Sequence, residues 1–153
     1  MKKLFIIILF LAFGLNAFTQ EKKMAAGLGL EWNMNARRYY AAGTALGFEY
    51  KLPSHFAIGL TVTGSSNFSG FSVIEPTVFL RGYIQKEENS GFFLQIDVGP
   101  FIIFEEGKTI PMFEVGARGG YRFILGSSFY IEPYGRLGYP FAFGIGAIAG
   151  ICF

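Results

Sequence analysis

The sequence predicts an all-β protein in which eight antiparallel strands close into an up-and-down barrel behind an N-terminal signal peptide. Three observations carry this prediction: an apolar leader, a two-residue alternation through most of the remaining chain, and charges that share one face of a strand. The composition sets the limits. With 52% hydrophobic residues, the 153-residue chain is too apolar for a disordered protein. Its 16% of charged residues is low for a soluble enzyme, in which about a quarter is usual.

The leader has the three parts of a secretory signal peptide. Lysines follow the initial methionine, residues 4–15 are all apolar or glycine, and a short polar stretch with small residues comes next. As a helix these twelve residues would span about 18 Å, less than the hydrocarbon core of about 30 Å that an uncleaved anchor must cross. We therefore expect residues 1–19 to be removed by cleavage after Thr19, with cleavage after Ala17 as the alternative. The mature domain is then 20–153.

The rest of the chain alternates between apolar side chains and small or polar ones. In 56–63, for example, Phe56, Ile58, Leu60 and Val62 alternate with alanine, glycine and threonine. A period of two is typical of strands whose two faces meet different surroundings. Turn-forming residues separate the alternating segments. We expect strands at 25–34, 40–50, 56–63, 71–84, 92–104, 111–124, 129–138 and 142–153.

Ten ionisable residues fall inside these strands, and those within one strand share a face. A soluble barrel would turn its apolar face inward and scatter lysines over its outer face, but the strand interiors contain no lysine. The opposite arrangement, with the apolar face toward lipid and the charges toward a narrow lumen, is that of a transmembrane β-barrel. The expected lumen charges are Glu31, Glu49, Glu75, Arg81, Asp97, Glu114, Arg118, Arg122, Glu132 and Arg136.

The length and the aromatic residues agree with a small barrel in a membrane. The 134 residues that remain after 1–19 give about 17 per strand and connection, which fits strands of about 9–12 residues joined by short turns. Tyrosine and tryptophan favour the membrane–water interface because their rings are apolar and their tips are polar. With the mature N-terminus in the periplasm, we expect Trp32 and Tyr40 at the outer interface, and Tyr50 and Tyr121 at the periplasmic one.

Two Glu-Pro pairs, Glu75-Pro76 and Glu132-Pro133, fall inside predicted strands. In each pair the glutamate is expected to face the lumen and the proline to face lipid. Because proline has no N–H to give to the ladder, we expect a bulge or a bend at each site.

The alternation continues to the last residue, through Ile145, Ala147, Ala149, Ile151 and Phe153. With its leader and eight alternating strands, the chain resembles the small eight-stranded outer-membrane barrels, the OmpA/OmpX-like group. This resemblance implies a location in the cell outer membrane of a Gram-negative bacterium, surrounded by outer-membrane lipid. It also implies that Phe153 is part of the signal that the barrel-assembly machinery reads.

The lumen charges have two interpretations. They can form a plug of ion pairs, because an unpaired buried charge costs several kcal/mol, or they can line a narrow ion-conducting pore. Eight strands leave little open radius, which favours the plug. We therefore expect a small outer-membrane barrel with a structural or surface-interaction role, and a narrow pore is the alternative.

Two further alternatives are a soluble periplasmic lipid-binding barrel and, more remotely, a lipid-modifying outer-membrane enzyme. The enzyme would need a site such as Ser54-His55, but adjacent strand residues point to opposite faces, and this pair follows Pro53 in a predicted turn. One cysteine and one histidine cannot build a Cys/His metal site. We expect no catalysis, no cofactor, no metal and no nucleic-acid partner, and the residues identify no small-molecule substrate.

Overall fold

The computed structural model describes residues 22–35, 39–68, 70–84 and 90–153. The predicted signal peptide, residues 1–19, lies outside them. Each strand pairs antiparallel with the next, and the first strand also pairs with the last, so the sheet is a closed barrel. This confirms the predicted fold class. The described residues contain no helix long and apolar enough to cross a membrane.

The strands are β1 (Met24–Met34), β2 (Tyr40–Lys51), β3 (Phe56–Ser66), β4 (Phe71–Tyr83), β5 (Gly91–Glu105), β6 (Lys108–Leu125), β7 (Phe129–Tyr139) and β8 (Phe143–Cys152).

The largest difference from the expected strand limits is in the β5–β6 hairpin. The expected strands end at residue 104 and begin again at 111, but the ladder continues to the pair Glu105 and Lys108. Glu106 and Gly107 form the two-residue turn, and both have positive φ, 48° and 76°. Turns with this conformation match the twist of the flanking strands, so β5 and β6 are longer than the alternation alone indicated.

Of the bulge or bend expected at each of the two prolines, the bulge is absent. On either side of Pro76, β4 pairs with β5 at Ile74 opposite Ile102 and again at Val78 opposite Val98, with no change of register. The β6–β7 register is likewise the same on both sides of the unpaired stretch that contains Pro133. The proline, which has no N–H, therefore interrupts the ladder toward one neighbouring strand. No residue is inserted, because the same number of residues is unpaired on both strands.

The outer face of the barrel is apolar around its whole circumference. Neighbouring residues show the contrast: Leu30 is 70% exposed and Glu31 is 3% exposed. Soluble monomers rarely expose a continuous apolar surface of this extent, whereas lipid-facing barrels require one. The exposed residues include Leu28, Leu30, Leu46, Ile58, Leu60, Val62, Val78, Leu80, Leu94, Ile96, Val115, Ile131, Leu137 and Ile145.

The two ends of the barrel are defined by the strand ends that lie there. The terminus rim carries the last residue, Phe153, together with the last residues of β2, β4 and β6, and the far rim is the opposite end. Phe153 extends the seam, because its backbone N–H donates to Met24 O at 2.8 Å and its carbonyl oxygen accepts from Met24 N at 2.9 Å.

Apolar side chains fill both ends of the lumen. Near the far rim, the rings of Phe101 and Phe141 meet edge to face with centroids 5.3 Å apart, packed with Val73. Near the terminus rim, Phe93 and Tyr130 belong to a second buried cluster. The charged residues lie between these two apolar layers.

Candidate functional site: the charged interior

The structure places all ten expected lumen charges inside the barrel, and none is more than 4% exposed. Alternation along each strand explains this, because every second side chain of a barrel strand points to the lumen. The ten residues form two groups. The terminus-side cluster is Glu49, Arg81, Arg122 and Glu132, and the far-side cluster is Glu31, Glu75, Asp97, Glu114, Arg118 and Arg136.

In the terminus-side cluster each arginine contacts both glutamates. Arg81 binds Glu132 with two parallel hydrogen bonds, from Nη1 at 2.8 Å and from Nη2 at 2.9 Å, and its Nη1 lies 2.9 Å from Glu49. Arg122 donates to Glu49 from Nη1 at 2.9 Å and from Nη2 at 3.1 Å, and its Nε donates to Glu132 at 2.6 Å. Bidentate pairs of this kind are among the strong ion pairs in proteins.

Neutral and aromatic side chains complete this cluster. The guanidinium of Arg81 lies 4.0 Å from the centroid of the Phe93 ring, and that of Arg122 lies 4.3 Å from the centroid of the Tyr130 ring. Such stacking is favourable for a cation removed from water. Tyr83 Oη donates to Glu49 at 2.9 Å. The terminus-side cluster therefore satisfies its charges internally.

The far-side cluster is organised around Arg136. Its Nη1 donates to Glu31 at 2.6 Å and to Glu75 at 3.0 Å, and its Nη2 donates to Glu75 at 3.0 Å and also to Glu114. Tyr134 Oη donates to Glu31 at 2.6 Å. One guanidinium thus serves three carboxylates from three other strands.

Arg118 is held less closely than the other arginines. Its Nη1 lies 3.4 Å from Glu31, and its Nε lies 3.2 Å from Asp97 without the alignment of a hydrogen bond. Gln95 Nε2 donates to the other oxygen of Asp97 at 2.6 Å, and Gln95 also accepts from Arg81 Nε at 2.7 Å. Gln95 therefore connects the two clusters.

The two clusters differ in charge balance. The terminus-side cluster contains two carboxylates and two guanidiniums, whereas the far-side cluster contains four carboxylates and two guanidiniums. In the described parts of the chain, none of the buried polar atoms without a hydrogen-bond partner belongs to the terminus-side cluster. These atoms are Asn33 Oδ1, Thr63 Oγ1, Ser65 Oγ, Glu75 Oε1, Asp97 Oδ2, Glu114 Oε2 and Arg118 Nε.

Little space remains between these side chains. A cavity beside the terminus-side cluster has a volume of about 20 Å³, enough for about one water molecule. Glycines make the filling possible. A Cβ on Gly146 would lie 2.5 Å from Tyr134 Oη, and a Cβ on Gly150 would lie 2.6 Å from Tyr130 Cε1. The lumen is therefore packed with side chains rather than open.

The expected interface aromatics lie on the outer face near the rims. Trp32 and Tyr40 are near the far rim and are 37% and 57% exposed. Near the terminus rim, Tyr50 is 42% exposed, and Tyr121 packs edge to face against Phe92 with ring centroids 4.7 Å apart. Both rims therefore carry aromatic residues.

The sequence reasoning missed the uncharged polar side chains that hold the network. These residues share the strand face of the charges, so the same alternation could have identified them. A search for ion pairs does not select them, because each is uncharged at neutral pH. The missed residues are Asn33, Tyr83, Gln95 and Tyr134.

The other chemical candidates remain isolated. Ser54 and His55 lie exposed in the β2–β3 connection, where Ser54 Oγ accepts the N–H of Phe56 at 3.3 Å. Over the described residues, no group of three or more histidine, cysteine, aspartate or glutamate side chains is arranged to hold a metal ion.

Comparison with known proteins identifies the fold. No protein-family model and no curated protein matches the sequence. Among solved structures, Ail, the attachment invasion locus protein of Yersinia pestis, aligns with a TM-score of 0.50 and 11% identity, over 85% of this chain and 95% of its own. The fold is that of a small outer-membrane β-barrel.

Designed proteins share this barrel. The solution structure of the de novo designed TMB2.3 aligns with a TM-score of 0.51 and 11% identity, over 86% of this chain and 94% of its own. A structure described under the de novo design of transmembrane β-barrels aligns with a TM-score of 0.51 and 8% identity, over 86% and 98%. At these identities the likeness concerns the fold alone.

Proposed function

We propose that this chain is a sealed, non-catalytic barrel of the bacterial outer membrane with a structural or surface-interaction role. The observation that carries the proposal is the filled lumen: a charged middle layer between apolar layers at both ends. A pore needs a continuous water-filled path, whereas Phe101 and Phe141 occupy the far end and Phe93 and Tyr130 occupy the other.

The apolar outer face supports the membrane part of the proposal. Eleven residues of β1 at about 3.3 Å each, tilted by about 40°, rise roughly 28 Å along the membrane normal, which covers the apolar band of about 25 Å in outer-membrane barrels. A soluble lipid carrier would carry its apolar face inside. The fold and the leader together favour the outer membrane over other membranes, because single-chain barrels of this type are built there.

The far rim supports a role in surface contact. The connections at this rim are short, and β6 continues from Glu114 to Lys108 beyond its last partner in β7, which is Tyr139 opposite Val115. Phe68, in the β3–β4 connection, is 85% exposed. A rim that presents the unpaired edge of β6 and an exposed ring suits contact with another envelope component better than it suits catalysis.

Planar-bilayer recording of the folded protein tests the sealed lumen. We expect no steady conductance from protein whose folded state is verified by faster migration on gels when unboiled. The double variant Phe101→Ala/Phe141→Ala is the matched comparison, because it removes the far apolar layer and leaves the charges in place. Steady conductance by the parent would contradict the proposal and support the narrow pore. Recovery of the parent in the soluble fraction would instead support the lipid carrier.

A further inference from the structure

The far-side cluster contains two carboxyl groups that share one donor atom. Glu75 on β4 and Glu114 on β6 both accept from Arg136 Nη2, so their carboxyl groups are neighbours. Glu75 is 1% exposed and Glu114 is fully buried. Two buried carboxylates in neighbouring positions repel each other without screening by water, and this repulsion favours the state in which one of them holds a proton.

The surrounding charges do not remove this conflict. Arg136 is shared with Glu31, and the ion pairs of Arg118 are with Glu31 and Asp97, so neither guanidinium serves the Glu75 and Glu114 pair alone. Strands β2, β3 and β8 place no charged side chain at this level. The titratable and charged groups that face the pair are Glu31 on β1, Asp97 on β5, Arg118 on β6, and Tyr134 and Arg136 on β7.

Unpartnered buried side chains surround the same pair. Thr63 sits directly opposite Glu75 on the neighbouring strand, is fully buried, and has no hydrogen-bond partner for its hydroxyl. Side chains in opposed positions are close enough to interact. One oxygen of Glu75 and one oxygen of Glu114 also lack a donor. The Thr63 hydroxyl has one hydrogen to donate, so it can serve only one of these two oxygens, and an added proton would serve the other.

We propose that Glu75 and Glu114 form a proton-binding site that holds one proton between their carboxyl groups at neutral pH. The proton turns one carboxylate into a hydrogen-bond donor toward the other, and it reduces the excess of negative charge by one. A proton fits better than a metal ion, because no described group of three or more ligating side chains is arranged to hold a metal. The site is independent of the surface role proposed above.

Infrared spectroscopy of the folded barrel in lipid vesicles tests this site. At neutral pH the parent should show the C=O stretch of a protonated carboxyl group, shifted in D₂O. The band should disappear in Glu75→Gln and in Glu114→Gln, because removing either charge removes the need for the proton. The control Glu132→Gln, in the terminus-side cluster, should keep the band. A parent without the band at neutral pH would overturn the proposal, whatever the variants do.

The pH dependence of urea unfolding gives an independent readout. An exposed glutamate loses its proton near pH 4.3, so at neutral pH the unfolded chain binds one proton fewer than the folded barrel. Stability must then fall as the pH rises. The urea midpoint of the parent should decrease from neutral to alkaline pH, and that of Glu114→Gln should decrease less. Equal slopes would contradict the proposal. So would a parent midpoint that rises in sodium chloride relative to choline chloride, since this would indicate a bound sodium ion.

Discussion

The two halves of the lumen contain the same types of charged side chain, but they balance the charges differently. On the terminus side, two arginines and two glutamates bind each other in paired hydrogen bonds, with aromatic rings beneath the cations. On the far side, Arg136 serves three carboxylates, and several acceptors have no donor. The comparison shows that a packed barrel interior can hold its charges by internal pairing without being neutral at every level. Because the far half has the excess of carboxylates, we expect any response to protons or added charge there.

The largest expected effect is the loss of the central far-side cation. Arg136→Met leaves Glu31, Glu75 and Glu114 short of the guanidinium that contacts all three. Breaking buried pairs in this way costs about 3–5 kcal/mol in the free energy of unfolding. Urea unfolding in lipid vesicles measures the loss. Arg118→Met is the matched control and should cost less, because its contacts are longer, and an equal loss in the two variants would show that Arg136 is not the centre of the cluster.

A smaller loss should follow from filling the space that glycine leaves. Gly146→Ala places a Cβ against Tyr134, the donor to Glu31, so the far half must shift. Overpacking of this kind costs about 1–3 kcal/mol. Gly47 also lines the small lumen cavity, but a Cβ there would have no atom within 4 Å. Gly47→Ala should therefore leave the urea midpoint unchanged, and similar losses in both variants would contradict the packing described for Tyr134.

The smallest expected difference between the two halves concerns the tyrosine hydroxyls. Tyr134→Phe removes a donor from the acid-rich half, and a hydrogen bond to a charged group contributes about 1.5–3 kcal/mol. Tyr83→Phe removes the corresponding donor to Glu49, which keeps both arginines of its cluster. We expect the unfolding free energy to fall more for Tyr134→Phe. The reverse order would mean that the far half does not depend on neutral donors.

The sequence predicted the faces of the strands better than the contacts between them. A period of two assigns Glu75 and Arg81 to one face of β4 without any knowledge of the barrel. It cannot tell that Arg81 meets Glu132 and that Glu75 meets Arg136, because partners across the lumen depend on how far successive strands are staggered. The stagger follows from the register of all eight pairings together.

The alternation also did not predict which residues close the far end of the lumen. Phe141 comes from the connection after β7, which carries no alternation, yet its ring packs against Phe101 inside the barrel. For the same reason the expected connection between β5 and β6 was six residues long, 105–110, instead of the two-residue turn at Glu106 and Gly107. Periodicity reports the surroundings of a strand, and it contains no information about where a connecting residue folds back.

Fluorescence quenching of Trp32 by brominated lipids tests most directly whether the apolar face meets lipid. Trp32 is the only tryptophan of the chain, and it lies on the outer face near the far rim. In vesicles of brominated phospholipid we expect strong quenching, greater for bromines near the ester end of the acyl chain than for bromines near the bilayer centre. Fluorescence that is unchanged by brominated lipid, from protein verified as folded, would show that this face does not lie in the membrane.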